Sequence, residues 1–291
     1  MTTRGKSINL FLMDGSPNGR VKCTLANWTG VAYQIPRADL ERCKGRDDLS
    51  QSGVYFLFGV SDQTDENTVY IGQAGIRKNG EGILNRLQEH KKDADKDYWT
   101  EAVVFTTSNN SFGPTEISYL ENQFCSMAAA AQRYKVKNGN DPSPGNITEE
   151  KKSEMEEFIE YAVIIMGVFG HKVFEPLGPT VAQSLLLDEA SCKPALLFFA
   201  TGPDADGRAE LTGDGIFVLA GSKIREETVP SFPESARRMR ELNKNSIDEN
   251  GILLEDILFK SPSGAAAFVL GRPANGNIEW KTEDGRIISE F

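Results

Sequence analysis

Histidine and cysteine are scarce: His90 and His171, and Cys23, Cys43, Cys125 and Cys192, are all that 291 residues contain. The two histidines are far apart, which excludes an H-E-x-x-H zinc site, and no cysteines form a C-x-x-C pair, which excludes a zinc ribbon or a dithiol redox motif. Free thiols in a reducing cytoplasm are expected, and any metal has to be held mainly by oxygen. Long apolar runs are also missing. The longest, near residues 161–166 and 195–200, fall well short of the roughly 20 residues that cross a bilayer. The apolar residues 8–13 contain Asn9, stop at Asp14 and offer no small-residue cleavage site, so no export is predicted.

Positive charge is in deficit, with 32 Lys and Arg against 42 Asp and Glu and a net charge of −10. This argues at first against a polyanionic partner. The excess acid is local, however: residues 146–190 carry 3 basic and 9 acidic groups, while residues 1–50 carry 8 basic and 5 acidic. The total therefore bears on solubility and leaves room for a basic groove.

With 39% hydrophobic and 25% charged residues, the composition is that of an ordinary folded protein of about two domains. Residues 7–35 alternate apolar runs with turn signals and read as a pair of short strands, followed by a brief helix over 37–42. Residues 54–60 and 68–71 read as paired strands around a polar turn at 61–67, and 102–107 as a third strand. Helical spacing marks 82–92 and 114–133, the latter opened by Pro114. The breaker at 138–145 then sets a boundary, beyond which 146–166 reads as an amphipathic connecting helix. Further on, 195–201, 215–220 and 269–280 read as strands and 233–243 as a helix. The expected organisation is a β-rich extension (1–50), a compact α/β (α+β) unit (51–145), a connecting helical segment (146–190) and a small α+β domain (191–291).

One constellation carries chemistry. Tyr55 in Gly53-Val54-Tyr55 and Tyr70 in Tyr70-Ile71-Gly72 lie on the paired strands, so their hydroxyls can share a sheet face. Arg86 and His90 are i and i+4 on the next helix and share its face. Glu121 falls in the apolar stripe of Ile117, Leu120 and Phe124, where a carboxylate needs a partner, and a metal cation would be one. Asn138 follows in a turn. Each residue taken singly also has an ordinary reading: strand tyrosines with one buried edge, an exposed helical face, an ion-paired glutamate and a turn asparagine.

The joint order resembles the GIY-YIG nuclease family over about residues 52–142. The resemblance rests on Gly53-Val54-Tyr55, Tyr70-Ile71-Gly72, the helical Arg86, the glutamate of Tyr119-Leu120-Glu121, and an asparagine slot filled by Asn138 or Asn140. The gap between the two tripeptides is somewhat longer than the family pattern. The resemblance implies a mainly antiparallel three-stranded sheet flanked by helices, and phosphodiester hydrolysis with one divalent cation, Mg²⁺ or Mn²⁺. In that reading Glu121 holds the metal, Arg86 grips phosphate oxygens, and Tyr55 or Tyr70 orients or deprotonates the attacking water. His90 relays a proton or contacts phosphate, and Asn138 lies at the substrate.

The final third, with Ser261-Pro262-Ser263-Gly264-Ala265-Ala266-Ala267-Phe268-Val269-Leu270-Gly271, Asn275-Gly276 and Trp280, resembles an uncharacterised C-terminal domain found appended to such nucleases in bacteria and archaea. Arg237, Arg238 and Arg240, with a helix N-terminus at 261–265, are candidate contacts to nucleic-acid phosphates. The leading expectation is a DNA endonuclease. The rivals are a non-catalytic nucleic-acid-binding protein that keeps the fold, and an enzyme cutting RNA by the same chemistry.

Overall fold

The computed structural model describes residues 5–61, 66–76, 82–93, 96–139, 142–178 and 196–291. Asn140, Cys192, the turn residues 62–65 and residues 179–190 of the expected connecting segment lie outside them. The chain divides into two units, Met1–Leu177 and Gly178–Phe291.

The first unit is built on a seven-stranded sheet: β1 (Ile8–Leu12), β2 (Val21–Leu25), β3 (Gly30–Pro36), β4 (Gly53–Val60), β5 (Asn67–Ala74), β6 (Trp99–Thr107) and β7 (Lys135–Val136), in spatial order β1-β2-β3-β6-β4-β5-β7. All neighbours are antiparallel except β5 and β7. The expected three-stranded antiparallel sheet is present as β6-β4-β5, but it is the middle of a wider one. Residues 1–50 are not a separate extension, because β3 pairs with β6 along its whole length.

Helices α1 (Ile83–Lys92), α2 (Pro114–Ala131) and α3 (Glu149–Val168) cover the two faces. Strand β4, Gly-Val-Tyr-Phe-Leu-Phe-Gly-Val, is apolar almost throughout because both of its faces are covered. On one face Tyr55, Leu57, Ala74 and Val104 pack with Ile83, Leu84 and Leu87 of α1. On the other, Val54, Phe56, Ile71 and Phe105 meet Ile117, Leu120 and Phe124 of α2 and Phe158 of α3. Aromatic edges interlock there, with Phe56 and Phe124 centroids 5.2 Å apart at 67°. Pro114 opens α2, and Glu116 accepts a hydrogen bond from Gly113 N–H at 3.1 Å. Helix α3, read from sequence as a connector, is part of this core through Met155, Phe158, Ala162 and Met166. Its burial moves the division of the chain from the breaker at 138–145 to Leu177/Gly178.

The second unit has a four-stranded antiparallel sheet of β8 (Leu197–Gly202), β9 (Ala205–Thr212), β10 (Gly215–Val218) and β11 (Ile257–Phe259), ordered β11-β10-β9-β8. Helices α4 (Glu234–Leu242), α5 (Pro262–Leu270) and α6 (Gly276–Glu279) accompany it. The strand expected over 269–280 is not formed. Ser261 caps α5, accepting from Gly264 N–H at 3.2 Å, and Pro262 sits at its first turn. The run to Leu270 is therefore helical, and because α5 is buried on all sides from Ala265 to Leu270 it has no polar stripe there to betray its period.

Among the described residues no helix is long and apolar enough to cross a membrane. Cys23, Cys43 and Cys125 are buried.

Candidate active site

The pairing of β4 with β5 places Tyr55 opposite Gly72 and Leu57 opposite Tyr70. Tyr55 and Tyr70 thereby lie diagonally on the same sheet face, with ring centroids 6.3 Å apart. The glycines of the two tripeptides have steric causes. A Cβ at Gly72 would stand 2.4 Å from the Tyr55 hydroxyl oxygen, and one at Gly53 would stand 2.3 Å from the Phe105 carbonyl oxygen. Only hydrogen at residue 72 leaves the Tyr55 phenol its place across the strand pair.

Helix α1 lies over this face and brings in Arg86 and His90. The Tyr55 hydroxyl and His90 Nε2 are 2.7 Å apart, and the imidazole is also 5.4 Å from the Tyr70 ring. Tyr55 is 1% exposed and His90 3% exposed. Burial first, and then the charges of Lys96 and Arg86, lower the His90 pKa from 6.5 to about 4. Burial likewise drives the Tyr55 phenol far above its ordinary value, with Tyr70 adding to the rise and Arg86 opposing it. Near neutral pH this is a neutral phenol against a neutral imidazole. The hydroxyl donates to Nε2 when the imidazole proton is on Nδ1, and accepts from Nε2–H in the other tautomer. Contact of His90 with phosphate, one of the two roles expected for it, is not available to so buried a ring.

Arg86 is half-buried, and its Nη1 donates to Glu89 Oε2 at 2.8 Å, which anchors one side of the fork. Its guanidinium also favours the Tyr55 anion, through a hydrogen bond and its charge, and reaches Tyr70 and Glu121 electrostatically. Glu121 comes from α2, on the opposite sheet face, and meets the cluster by way of β5. Gln73 Nε2 donates to Glu121 Oε2 at 2.9 Å, and Ser118 donates to Gln73 Oε1 at 3.2 Å. Burial raises the Glu121 pKa against the lowering effects of Gln73 and Arg86. The five residues singled out by spacing, Tyr55, Tyr70, Arg86, His90 and Glu121, are thus brought together from four elements.

Asn138 is at the same place in a different capacity. Its side-chain Nδ2 donates to Ile71 O at 2.7 Å and its Oδ1 accepts from Ile71 N–H at 3.1 Å. Lys137 N–H also donates to Val69 O, so the asparagine amide prolongs the β5–β7 ladder where the backbone departs. With both ends engaged on the strand, Asn138 closes the edge of β5 and is not the substrate contact expected.

Three residues outside the motif pattern complete the site. Gln73 follows Tyr70-Ile71-Gly72 directly, and strand alternation alone aims it at α2. The Lys96 ammonium lies 3.7 Å from the centre of the Tyr70 ring. The Tyr98 hydroxyl is buried without a hydrogen-bond partner among the described residues, and burial raises its pKa to about 12. Lys96 and Tyr98 sit in an irregular stretch that no periodicity marks. His171, the second histidine, is bonded to Glu101 at 2.6 Å and stacked on Phe58, in a structural role.

A hard divalent cation suits the donors on offer. Glu121 is a half-buried carboxylate with no ion-pair partner among the described residues, and no group of three or more His, Cys, Asp or Glu side chains is assembled among them. A single carboxylate is enough for Mg²⁺, which keeps several waters and takes further oxygen from substrate phosphates.

The arginines of the second unit separate into different roles. Arg240 is committed internally: Nη1 donates to Arg225 O at 2.7 Å and Nε to Phe268 O at 3.0 Å, and burial lowers its pKa to about 10. It holds its own fold together and is not a phosphate contact. Arg237 is exposed beside Glu234 at 3.5 Å, and Arg238 is exposed.

In comparison with known proteins, residues 197–291 match a family described as a domain of unknown function, DUF4357. This agrees with an appended C-terminal domain. No curated protein and no solved structure matches the chain. The family match is therefore confined to residues 197–291, and the α+β unit that carries the tyrosine, arginine, histidine and glutamate cluster lies outside it.

Proposed function

We propose that the first unit is a metal-dependent phosphodiesterase of the GIY-YIG type acting as an endonuclease on DNA. The observation that carries this reading is the convergence of Tyr55, Tyr70, Arg86 and Glu121 from four elements, with Gly72 making room for the phenol. A non-catalytic binding fold has no need to bury a phenol–imidazole pair beside a carboxylate that has no ion-pair partner among the described residues.

Phosphodiester hydrolysis needs an in-line water, a cation facing the non-bridging oxygens and a route for the proton of the water. Arg86, anchored by Glu89, presents its remaining donors to the phosphate. Tyr70, half-buried, is the phenol placed to meet the water, whereas Tyr55 is enclosed and engaged with His90. The Tyr55 hydroxyl favours the Tyr70 anion, so a proton taken up at Tyr70 is balanced by transfer through Tyr55 towards His90 Nε2. With its pKa lowered to about 4, the imidazole holds that proton only transiently and returns it along the same path, through Tyr55 and Tyr70, to the leaving oxygen. Glu121 would hold Mg²⁺ or Mn²⁺, which when bound supplies Lewis-acid stabilisation of phosphate charge.

The test is cleavage of supercoiled plasmid, linear duplex, single strands and RNA with Mg²⁺, Mn²⁺ or chelator. Nicking of DNA that needs the metal and falls by about 10²-fold or more in Glu121→Ala and Arg86→Ala is expected. Parental activity in both variants would refute the assignment, and cleavage confined to RNA would move it to the RNA class.

A further inference from the structure

Lys96 stands out because its ammonium is held by a ring rather than by an acid. It is half-buried, 3.7 Å from the centre of the Tyr70 ring, and has no carboxylate within ion-pair distance among the described residues. A cation over a tyrosine face is attracted by the ring quadrupole, at about 0.5–2 kcal/mol, which is less than a well-made ion pair in a partly dehydrated place offers. Its charged surroundings are unfavourable. Burial and Arg86 both lower its pKa, opposed by Asp93, and Lys96 in turn disfavours a charged His90. Of the acids around the site, Glu89 is tied to Arg86 and Glu121 to Gln73, and Asp93 acts on Lys96 through its charge without forming an ion pair with it. Two cations therefore flank the Tyr70 phenol, and the second makes no ion pair among the described residues.

We propose that Lys96 is a second substrate-binding cation of the site, contacting a backbone phosphate of the nucleic acid beside the one gripped by Arg86. Tyr70 serves as its seat: the ring holds the ammonium through its π face, and the N–H donors turned away from the ring are left for an oxyanion. The inference rests on the phosphodiesterase reading for the identity of the anion, but its test does not rest on cleavage.

Binding of a fluorescein-labelled duplex oligonucleotide is measured by anisotropy in EDTA, from 50 to 200 mM KCl, in a Glu121→Gln background. Each phosphate neutralised contributes about −0.9 to the slope of log K against log[KCl]. Lys96→Met, which keeps the volume over the ring, should flatten the slope by about that amount and weaken binding on the order of tenfold at 100 mM KCl. Lys96→Arg should restore the slope, a rescue that a packing role would not give. Circular dichroism melts check that the variants fold, with Lys96→Gln as a second neutral replacement. An unchanged slope in both neutral variants, or no duplex binding by any form, overturns the inference. Plasmid cleavage with an unchanged slope sinks the role of Lys96 alone, and a Lys96-dependent slope without cleavage sinks the nuclease reading alone.

Discussion

Replacing Gly72 by alanine would place a methyl carbon 2.4 Å from the hydroxyl oxygen and 2.5 Å from Cζ of Tyr55, about 1 Å inside ordinary contact distance. The phenol has nowhere to go. It is 1% exposed, with the Tyr70 ring 6.3 Å and the His90 ring 5.5 Å away, centre to centre. Overpacking of this kind costs about 1–3 kcal/mol. Displacing the hydroxyl breaks the Tyr55–His90 bond with both ends buried, costing about 1–3 kcal/mol more. A loss of about 2–6 kcal/mol from the first unit is expected, read by hydrogen–deuterium exchange on peptides from β4 and β5, which separates this unit from the second. In a Tyr55→Phe background the hydrogen bond is already gone, so the further cost of Gly72→Ala should be smaller by about that share. A Gly72→Ala protein within about 0.5 kcal/mol of the parent would show that the phenol is not confined as described.

Two further outcomes follow from the same geometry. Because folding lowers the His90 pKa from 6.5 to about 4, the unfolded chain binds the extra proton between those values. This contribution is complete above pH 6.5 and is lost as pH falls towards 4, to at most about 3 kcal/mol. The raised Glu121 pKa acts in the opposite sense, so the readout is the difference between parent and His90→Gln in denaturant unfolding across pH 4–7, and parallel curves would refute it. In the second unit, Arg240→Ala leaves two partly buried carbonyls unpaired and should cost about 1–3 kcal/mol, while Arg238→Ala should leave that unit unmoved; equal melting of the two variants would contradict the roles assigned.

Much of the architecture was legible because its signals are local. The Val-Tyr-Phe-Leu-Phe run of β4, Pro114 opening α2 and the i, i+3, i+4 stripe of Ile117, Leu120 and Phe124 each state their element in a few residues. The catalytic candidates were legible because they follow one another in fixed order along those elements. Helix α5 was misread at its end because its fully buried part, Ala265 to Leu270, carries no period, and a short continuous apolar run such as Phe-Val-Leu then resembles a strand. Long-range pairing was also invisible: nothing in residues 30–36 announces that they extend the sheet through β6.

What sequence alone determined is which residues had chemistry to offer: two phenols, a guanidinium, an imidazole and a carboxylate, each typed by its place on a strand or helix. Tertiary structure decided how each is employed, because burial and contact set protonation and availability. It paired Tyr55 with His90, turned the Asn138 amide onto the backbone of β5, committed Arg240 to carbonyl groups of its own unit, and seated Lys96 on Tyr70. Those assignments depend on distances between residues remote in the chain, which only the folded arrangement of sheet and helices supplies.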